Sequence, residues 1–529
     1  VPGLQAHLRG DAPGQGRLRR GRVLTPDDAD VAAARGPHPD HDLPPVVATG
    51  SPTHEIDLEI PELEIAEHDV DDAGLTPDDD GVQGLMGPSY RAITIGVVAA
   101  MTMFAFEGIG VASAMPVVAR ALDGLAYYAW AFNGYVVTSL VAMVVAGEWC
   151  DRAGPRPPVM LGITLFAVGA AGAGLAWSMP VLVLARALQG FGMGLAIVAL
   201  YVVIGRAYPE RLRPRVFGVL SASWVLPAIV GPLVAGFLTD HLSWRAVFWL
   251  VVPFVIPPAL LLVPRIGGFG GTQDEGERRR GRVRLAIGAA TGLALLQEAG
   301  TRRSTVGVVL AIVGLALLVP TLRLLLPAGA LRFARGLPTV VVMRGILAGA
   351  FFAGEAFVPL ALQTVRGAST AQAGVALTMG AIGWASGSQV QSRMYARLPR
   401  GRLVELGALM VGLGIATASL SLVPALSFWV IVPSWLVGSA GMGMAFGSIG
   451  TLVLELSAAE DQGANVASLQ VCDSVGSVVF VGIAGAIYAT ALARGTVSAA
   501  TFVTIWTVMG AVALTAAVLA SRIRVRPAR

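Results

Sequence analysis

Gly147-Glu-Trp-Cys-Asp151-Arg152-Ala-Gly154-Pro-Arg156 separates two apolar runs, near 127–147 and 158–177. A helix crossing a bilayer core needs about 20 such residues, and each run supplies them. A short charged segment between two runs of that length reads as the turn of a helical hairpin. Its residue types suit the place. A pair of glycines permits a tight turn. A carboxylate at Asp151 can sit at the positive N-terminus of a facing helix, and the arginines can pair across an interface between helices.

Outward from this turn the pattern recurs. From Arg91 onward the apolar runs give fourteen candidate spans. The first six lie near 92–119, 127–147, 158–177, 181–205, 216–239 and 245–263. Two shorter ones follow near 284–299 and 304–322. Six more lie near 337–363, 372–391, 403–423, 427–452, 465–490 and 500–521. The expected fold class is an all-α polytopic membrane protein of two six-helix lobes plus two inserted central helices. The lobes are 91–264 and 336–522, with a loop at 265–283, the inserted pair and its loop at 284–335, and a basic tail at 523–529. If the inserted pair lay along the interface instead, the count would be twelve with unchanged topology. The 65 glycines fit close helix packing, as in Gly190-Phe-Gly-Met-Gly194.

Arginine sets the orientation, because cytoplasmic loops retain positive charge. With both ends inside, the inner loops and tail hold 23 Arg and the outer loops hold 6. The termini are therefore expected in the cytoplasm, and the protein in the plasma membrane with the lipid bilayer as its surroundings.

Composition excludes other classes. The chain of 529 residues is 55% hydrophobic and 14% charged, against about 25% charged in a soluble domain. All 38 basic residues are Arg. Residues 1–90 hold 6 Arg and 18 acidic residues, a net of −12, whereas 91–529 hold 32 Arg and 16 acidic residues, a net of +16. The basic charge belongs to an apolar body and not to a nucleic-acid-binding face. Two cysteines, Cys150 and Cys472, build no disulfide framework, and five of the six His lie in the tail, so neither a metal site nor another cofactor is expected. Residues 1–90, rich in Pro, Gly, Asp and Arg, read as a disordered acidic tail. The first Met is Met86, so a natural start there, or at a non-Met codon upstream, is the expectation.

Four motifs carry a resemblance. The opening segment resembles the cytoplasmic signature of the major facilitator superfamily, Gly-x-Leu-x-Asp-Arg-x-Gly-Arg-Lys. Gly147, Asp151, Arg152, Gly154 and Arg156 match, while Trp149 and Pro155 depart from it. The resemblance implies that Asp151 contacts the cytoplasmic end of the span starting near Gly463 and locks the outward-open state. The fourth span carries Leu182-x-x-x-Arg186-x-x-Gln189-Gly190-x-Gly192, similar to a second family motif whose Arg is linked to proton transfer. An Arg inside an apolar helix costs roughly 2.5–3.5 kcal/mol, so it should face a cavity or a carboxylate, or else snorkel to the interface. The fifth span contains Pro227-Ala-Ile-Val-Gly231-Pro232-Leu-Val-Ala-Gly236, similar to the family's antiporter motif at Gly231, Pro232 and Gly236. The first span reads Glu107-Gly-Ile-Gly-Val-Ala-Ser-Ala-Met-Pro116, which resembles fourteen-span drug:proton antiporters with Glu107 in place of Asp.

A carboxyl group withdrawn from water takes up a proton more readily, which is what coupling to a proton gradient needs. Glu107 is the first candidate carrier, with substrate contact or a structural hydrogen bond as its other roles. Arg344 and Glu355 share a face of the ninth span about 16 Å apart, too far for a direct pair. Glu355 either lines the cavity opposite Glu107 or makes an outer-end polar contact, and Asp473 serves either as a relay or as a contact between lobes. Glu148, Glu298 and Glu455 fall at helix ends, where solvation is expected. The C-lobe copy of the signature, Gly387-Ser-Gln-Val-Gln391-Ser-Arg393, has Gln391 where the acid would be.

The expected function is secondary transport: export of a small hydrophobic or amphipathic, drug-like compound in exchange for protons, by a monomer with alternating access. Lipid or metabolite transport and a non-transporting sensor are the alternatives. An enzyme is not expected, because the chain has no His-x-x-Glu-His, nucleophile elbow or phosphate-binding Gly-Lys-Ser/Thr sequence.

Overall fold

The structure, a computed structural model, describes residues 84–209, 212–270, 276–302, 304–394, 397–458 and 461–523. The acidic tail up to residue 83, residues 271–275 of the loop and the basic tail beyond 523 lie outside the described residues.

The described residues form helices and no strands. In order these are α1 (Arg91–Ala121), α2 (Tyr128–Ala153), α3 (Arg156–Gly174), α4 (Met179–Ala207), α5 (Arg213–His241), α6 (Trp244–Val251), α7 (Ile256–Leu262), α8 (Gly276–Thr301), α9 (Thr305–Leu325), α10 (Leu337–Arg366), α11 (Thr370–Met394), α12 (Arg400–Ala418), α13 (Ile431–Glu455), α14 (Gln462–Ala493) and α15 (Ala499–Leu519). Helices dominate because a bilayer core offers backbone groups no water, and a helix satisfies them within its own segment. Among the described residues twelve helical segments are long and apolar enough to cross a membrane, with α6 and α7 counted as one. The other two long helices are α8 and α11. The latter is diluted by Gln372, Ser386, Ser388, Gln389, Gln391 and Ser392.

Two expectations need correction. The sixth span is not one regular helix: Pro253, Pro257 and Pro258 remove backbone donors, and a 3-10 turn at Val252–Val255 joins α6 to α7. The helix of the seventh span begins at Gly276, inside the stretch read as loop.

The helices pack as two sets. In one, α1 lies on α5, and α2 and α3 flank α4; in the other, α10 lies on α14, and α11 and α12 flank α13. The α8–α9 hairpin packs through α8 against α2 and α14, one helix from each set. The outward face of α9 is apolar, with Val308, Ile312 and Leu315 exposed, as a lipid-facing helix requires.

The sets meet along one half of their length. Here α5 and α11 run side by side: Asp240 reaches the N–H groups of Thr370 and Ala371, and Thr378 Oγ1 donates to the Ile229 carbonyl at 2.8 Å. Tyr128 donates to the Ala356 carbonyl at 2.7 Å, and Gln363 donates to the Ser113 carbonyl at 3.4 Å. Toward the other end, Phe217, Val219, Val225 and Leu226 of α5 and Ser386, Gln389 and Val390 of α11 are exposed. Among the described residues the two sets are therefore joined at the end carrying Arg120, while these side chains stand open toward the end carrying Arg152.

Candidate functional site

The site is built on α1, α2 and α4. Three glycines of α4 allow close approach. A Cβ on Gly190 would stand 2.0 Å from the Tyr135 carbonyl oxygen of α2, and one on Gly192 would stand 2.5 Å from the Gly162 oxygen of α3. One on Gly194 would meet Ser139 at 2.4 Å. The backbones of α2 and α4 therefore touch, and Arg186 lies against α2 with 2% exposure. Its Nε donates to the Ala131 carbonyl at 3.2 Å, and its guanidinium carbon sits 4.5 Å from the centre of the Tyr135 ring.

The charge of Arg186 is met by Glu107. One Nη donates to Glu107 Oε1, and the same nitrogen lies 3.3 Å from Gln189 Oε1. Glu107 has no exposed surface. Glu107 Oε2 and Gln189 Nε2 are buried with no hydrogen-bond partner among the described residues. The geometry thus brings Glu107, Arg186 and Gln189 into one dry cluster, and full burial removes snorkelling as the explanation of Arg186. A salt bridge in such a place is held by mutual charge, and neutralising either member leaves the other uncompensated.

A second pair lies in the other helix set. Arg344 of α10 and Asp473 of α14 approach to 3.5 Å, and the Arg344 guanidinium lies over the Phe446 ring of α13. Both side chains keep some exposure, 13% and 14%. Glu355 is half-buried beside Trp435 and belongs to neither pair. The partner of Arg344 was missed in the sequence. It lies far along the chain, and the only signal was that an intramembrane Arg needs an acid somewhere.

The signature loop is also defined. Gly154 ends α2 with φ +78°, a conformation that suits glycine, and a Cβ there would stand 2.0 Å from the Phe269 carbonyl oxygen. Arg156 begins α3 and reaches Gly267 of the same neighbouring loop. Gly147 does not form part of the turn. The helix runs through it to Ala153 with open space beside it, so the turn rests on Gly154 alone. Arg152 pairs with Glu148 one turn back at 2.8 Å, and Asp151 lies half-buried in the last turn of α2. Beside them a cavity of about 540 Å³ is lined by Val145, Glu148, Trp149, Arg152, Val283 and Arg284. Glu298 pairs with Arg302 at 2.6 Å and accepts from Trp130, and Glu455 pairs with Arg400; both pairs keep exposed side-chain surface at the helix ends.

The antiporter-type motif of α5 faces both sets. Ser113 of α1 donates to the Pro232 carbonyl at 3.2 Å, Gly231 packs beside Gly110, and a Cβ on Gly236 would stand 2.7 Å from Ala371 Cα. The motif is thus a contact strip on the sealed half. A further buried amide pair, Asn133 and Gln297, ties α2 to α8, and Asn133 also donates to the Val478 carbonyl of α14 at 2.9 Å. No group of His, Cys, Asp or Glu among the described residues could hold a metal ion.

Comparison with known proteins follows the same line. The family model of the Major Facilitator Superfamily matches residues 95–481. An uncharacterized MFS-type transporter of Mycobacterium tuberculosis is 38% identical over 168 residues, 32% of this chain and 24% of that protein. The multidrug transporter protein MdtP of Bacillus subtilis is 32% identical over 36% of this chain and 34% of its own length. The tetracenomycin C resistance and export protein of Streptomyces glaucescens is 28% identical over 75% of this chain and 76% of its own. The chain thus spans only about a quarter to a third of the length of the first two relatives. Among solved structures, a peptide transporter POT in complex with sulfate superimposes with a TM-score of 0.61, covering 82% of this chain and 94% of that one at 16% identity. A POT family transporter in complex with 5-aminolevulinic acid gives 0.59 at 15% identity, covering 82% and 96%. At this identity these likenesses speak for the fold.

Proposed function

Since the chain belongs to the major facilitator superfamily, we propose that it exports small hydrophobic or amphipathic compounds in exchange for protons, by alternating access. The observation that carries this reading is the fully buried pair of Glu107 and Arg186 in a bundle whose described residues join the two helix sets at the Arg120 end. The names of similar proteins, a multidrug transporter and a resistance and export protein, support the direction and the substrate class.

In this reading all fourteen long helical segments cross the plasma membrane, α8 and α11 included. The lobes are 91–264 and 336–522, and the Arg152 end faces the cytoplasm, as does each terminus. The form described here is then inward-open. A proton entering from outside adds to the Glu107 carboxylate and gives the neutral acid. The pair loses its charge attraction, and Arg186 is left to Gln189, the Ala131 carbonyl and the Tyr135 face. Loss of the proton to the cytoplasm restores the pair. Substrate and proton thus compete for one charge state, which is the requirement for exchange. The pair of Arg344 and Asp473 is the second titratable element of the cleft, with Glu355 lining the same helix face as Arg344. The protein acts as a monomer and needs no cofactor.

Proton movement in proteoliposomes holding the purified chain tests this. Addition of a lipophilic cation or a neutral amphiphile to vesicles with an imposed pH gradient should drive proton flux. Substrate movement without protons, or movement of a lipid or polar metabolite only, contradicts it.

A further inference from the structure

We propose that Asp240 is a gating residue, a latch at the Arg120 end of the cleft that closes by seating its carboxylate on the N-terminus of α11. The proposal rests on the alternating-access reading above. It adds a charged contact to the hydrogen bonds and close packing that join the sets at that end, and no motif supplies it.

The first turn of a helix leaves backbone N–H groups without internal partners. α11 meets part of this need itself. Ser369 Oγ accepts from the Gln372 N–H at 3.1 Å, and Gln372 Oε1 accepts from the Ser369 N–H at 2.9 Å, a reciprocal capping box. The N–H groups of Thr370 and Ala371 remain. They are taken by the two oxygens of Asp240, at 3.2 and 2.9 Å, from a helix of the other set. A negative charge placed there also meets the positive end of the helix dipole.

The approach that makes this possible is built into α5. One turn before Asp240, Gly236 lets the α11 backbone come so close that a Cβ would stand 2.7 Å from Ala371 Cα. One turn further back, Gly374 packs on the Pro232 carbonyl oxygen, where a Cβ would stand 2.6 Å away. The glycines bring the helices together, and Asp240 adds a directional charged contact at the rim. It is exposed to solvent, so water can replace it when the end opens, and the contact is weak enough to break. The family resemblance gives Asp151 the same chemistry at the opposite end, an acid facing the start of α14. Two acids, each on a helix N-terminus of the other set, would then close alternate ends.

The test uses the full chain in lipid nanodiscs, with Cys150 and Cys472 replaced by Ala and spin labels at Trp177→Cys with Ala425→Cys for one end and Arg215→Cys with Gln389→Cys for the other. Asp240→Ala should shift the population toward long distances at the first pair and short distances at the second. The ratio should change by roughly twofold to thirtyfold, the range spanned by loss of a side-chain cap. Asp240→Asn, which keeps one acceptor, should give a smaller shift in the same direction. Unchanged distributions in Asp240→Ala, or a shift the other way, overturn the latch. The distances are read without substrate or a proton gradient. A failure of proton coupling therefore leaves the latch standing, and intact coupling with unmoved distances removes the latch alone.

Discussion

Glu107 on α1 and Arg186 on α4 form an ion pair sealed from solvent, with the arginine braced by the Ala131 carbonyl and the Tyr135 ring. The pair is the most completely buried charge in the described bundle to which a motif points.

Removal of one partner should be costly. Glu107→Gln or Arg186→Met alone leaves a charge without compensation, and each should lower stability by about 3–5 kcal/mol. The double variant Glu107→Gln with Arg186→Met should be more stable than either single one. Thermal unfolding in detergent measures this, and additive losses would contradict it.

Close packing of α4 on α2 should be equally intolerant. The Cβ of Gly190→Ala would fall 2.0 Å from the Tyr135 carbonyl oxygen, and backbone cannot yield as a side chain can. Overpacking of this kind costs about 1–3 kcal/mol, and here it should also displace Arg186 from α2. Gly205→Ala, on the same helix with nothing within 4 Å, is the control and should be silent. Equal stability of the two variants would contradict the reading.

These sites show what the sequence reveals. Run length and loop charge locate most of the helices to within a few residues, because a bilayer constrains both; α8 starts well before its apolar run because its first turns are charged. The break between α6 and α7 is legible in Pro253, Pro257 and Pro258 once the run is read for donors as well as for hydropathy. The demand of Arg186 for an acid is legible too, since a lone charge in an apolar helix is expensive. Its choice of Glu107 depends on how α1 lies against α4, which local pattern does not encode. The same holds for Arg344 with Asp473. Asp240 is hidden for another reason: its partners are backbone N–H groups, which have no residue signature.

The amide link between α2 and α8 should matter to the inserted hairpin. Asn133→Ala leaves Gln297 with 4% exposure and without its partner, a loss of about 1–3 kcal/mol. Hydrogen exchange along α8 should rise near Gln297 while α12 and α13 stay unchanged. Uniform exchange across the chain would mean that the hairpin is held by packing alone.

The pair of Arg344 and Asp473 should be the softer of the two. Its members keep 13% and 14% exposure, and Arg344 retains the Phe446 ring when the acid is gone. Asp473→Asn should therefore cost less stability than Glu107→Gln, by at least about 1 kcal/mol. An equal or larger cost would mean that the second pair is as dry as the first.

The coupling role of Glu107 is tested by substrate-driven proton flux in proteoliposomes, wild type against Glu107→Gln, with the exposed Arg494→Gln as the control. Flux is expected in the wild type and the control, and its loss in Glu107→Gln while substrate binding persists. Undiminished flux in a folded Glu107→Gln protein would contradict it and move the proton site to Asp473 or Glu355.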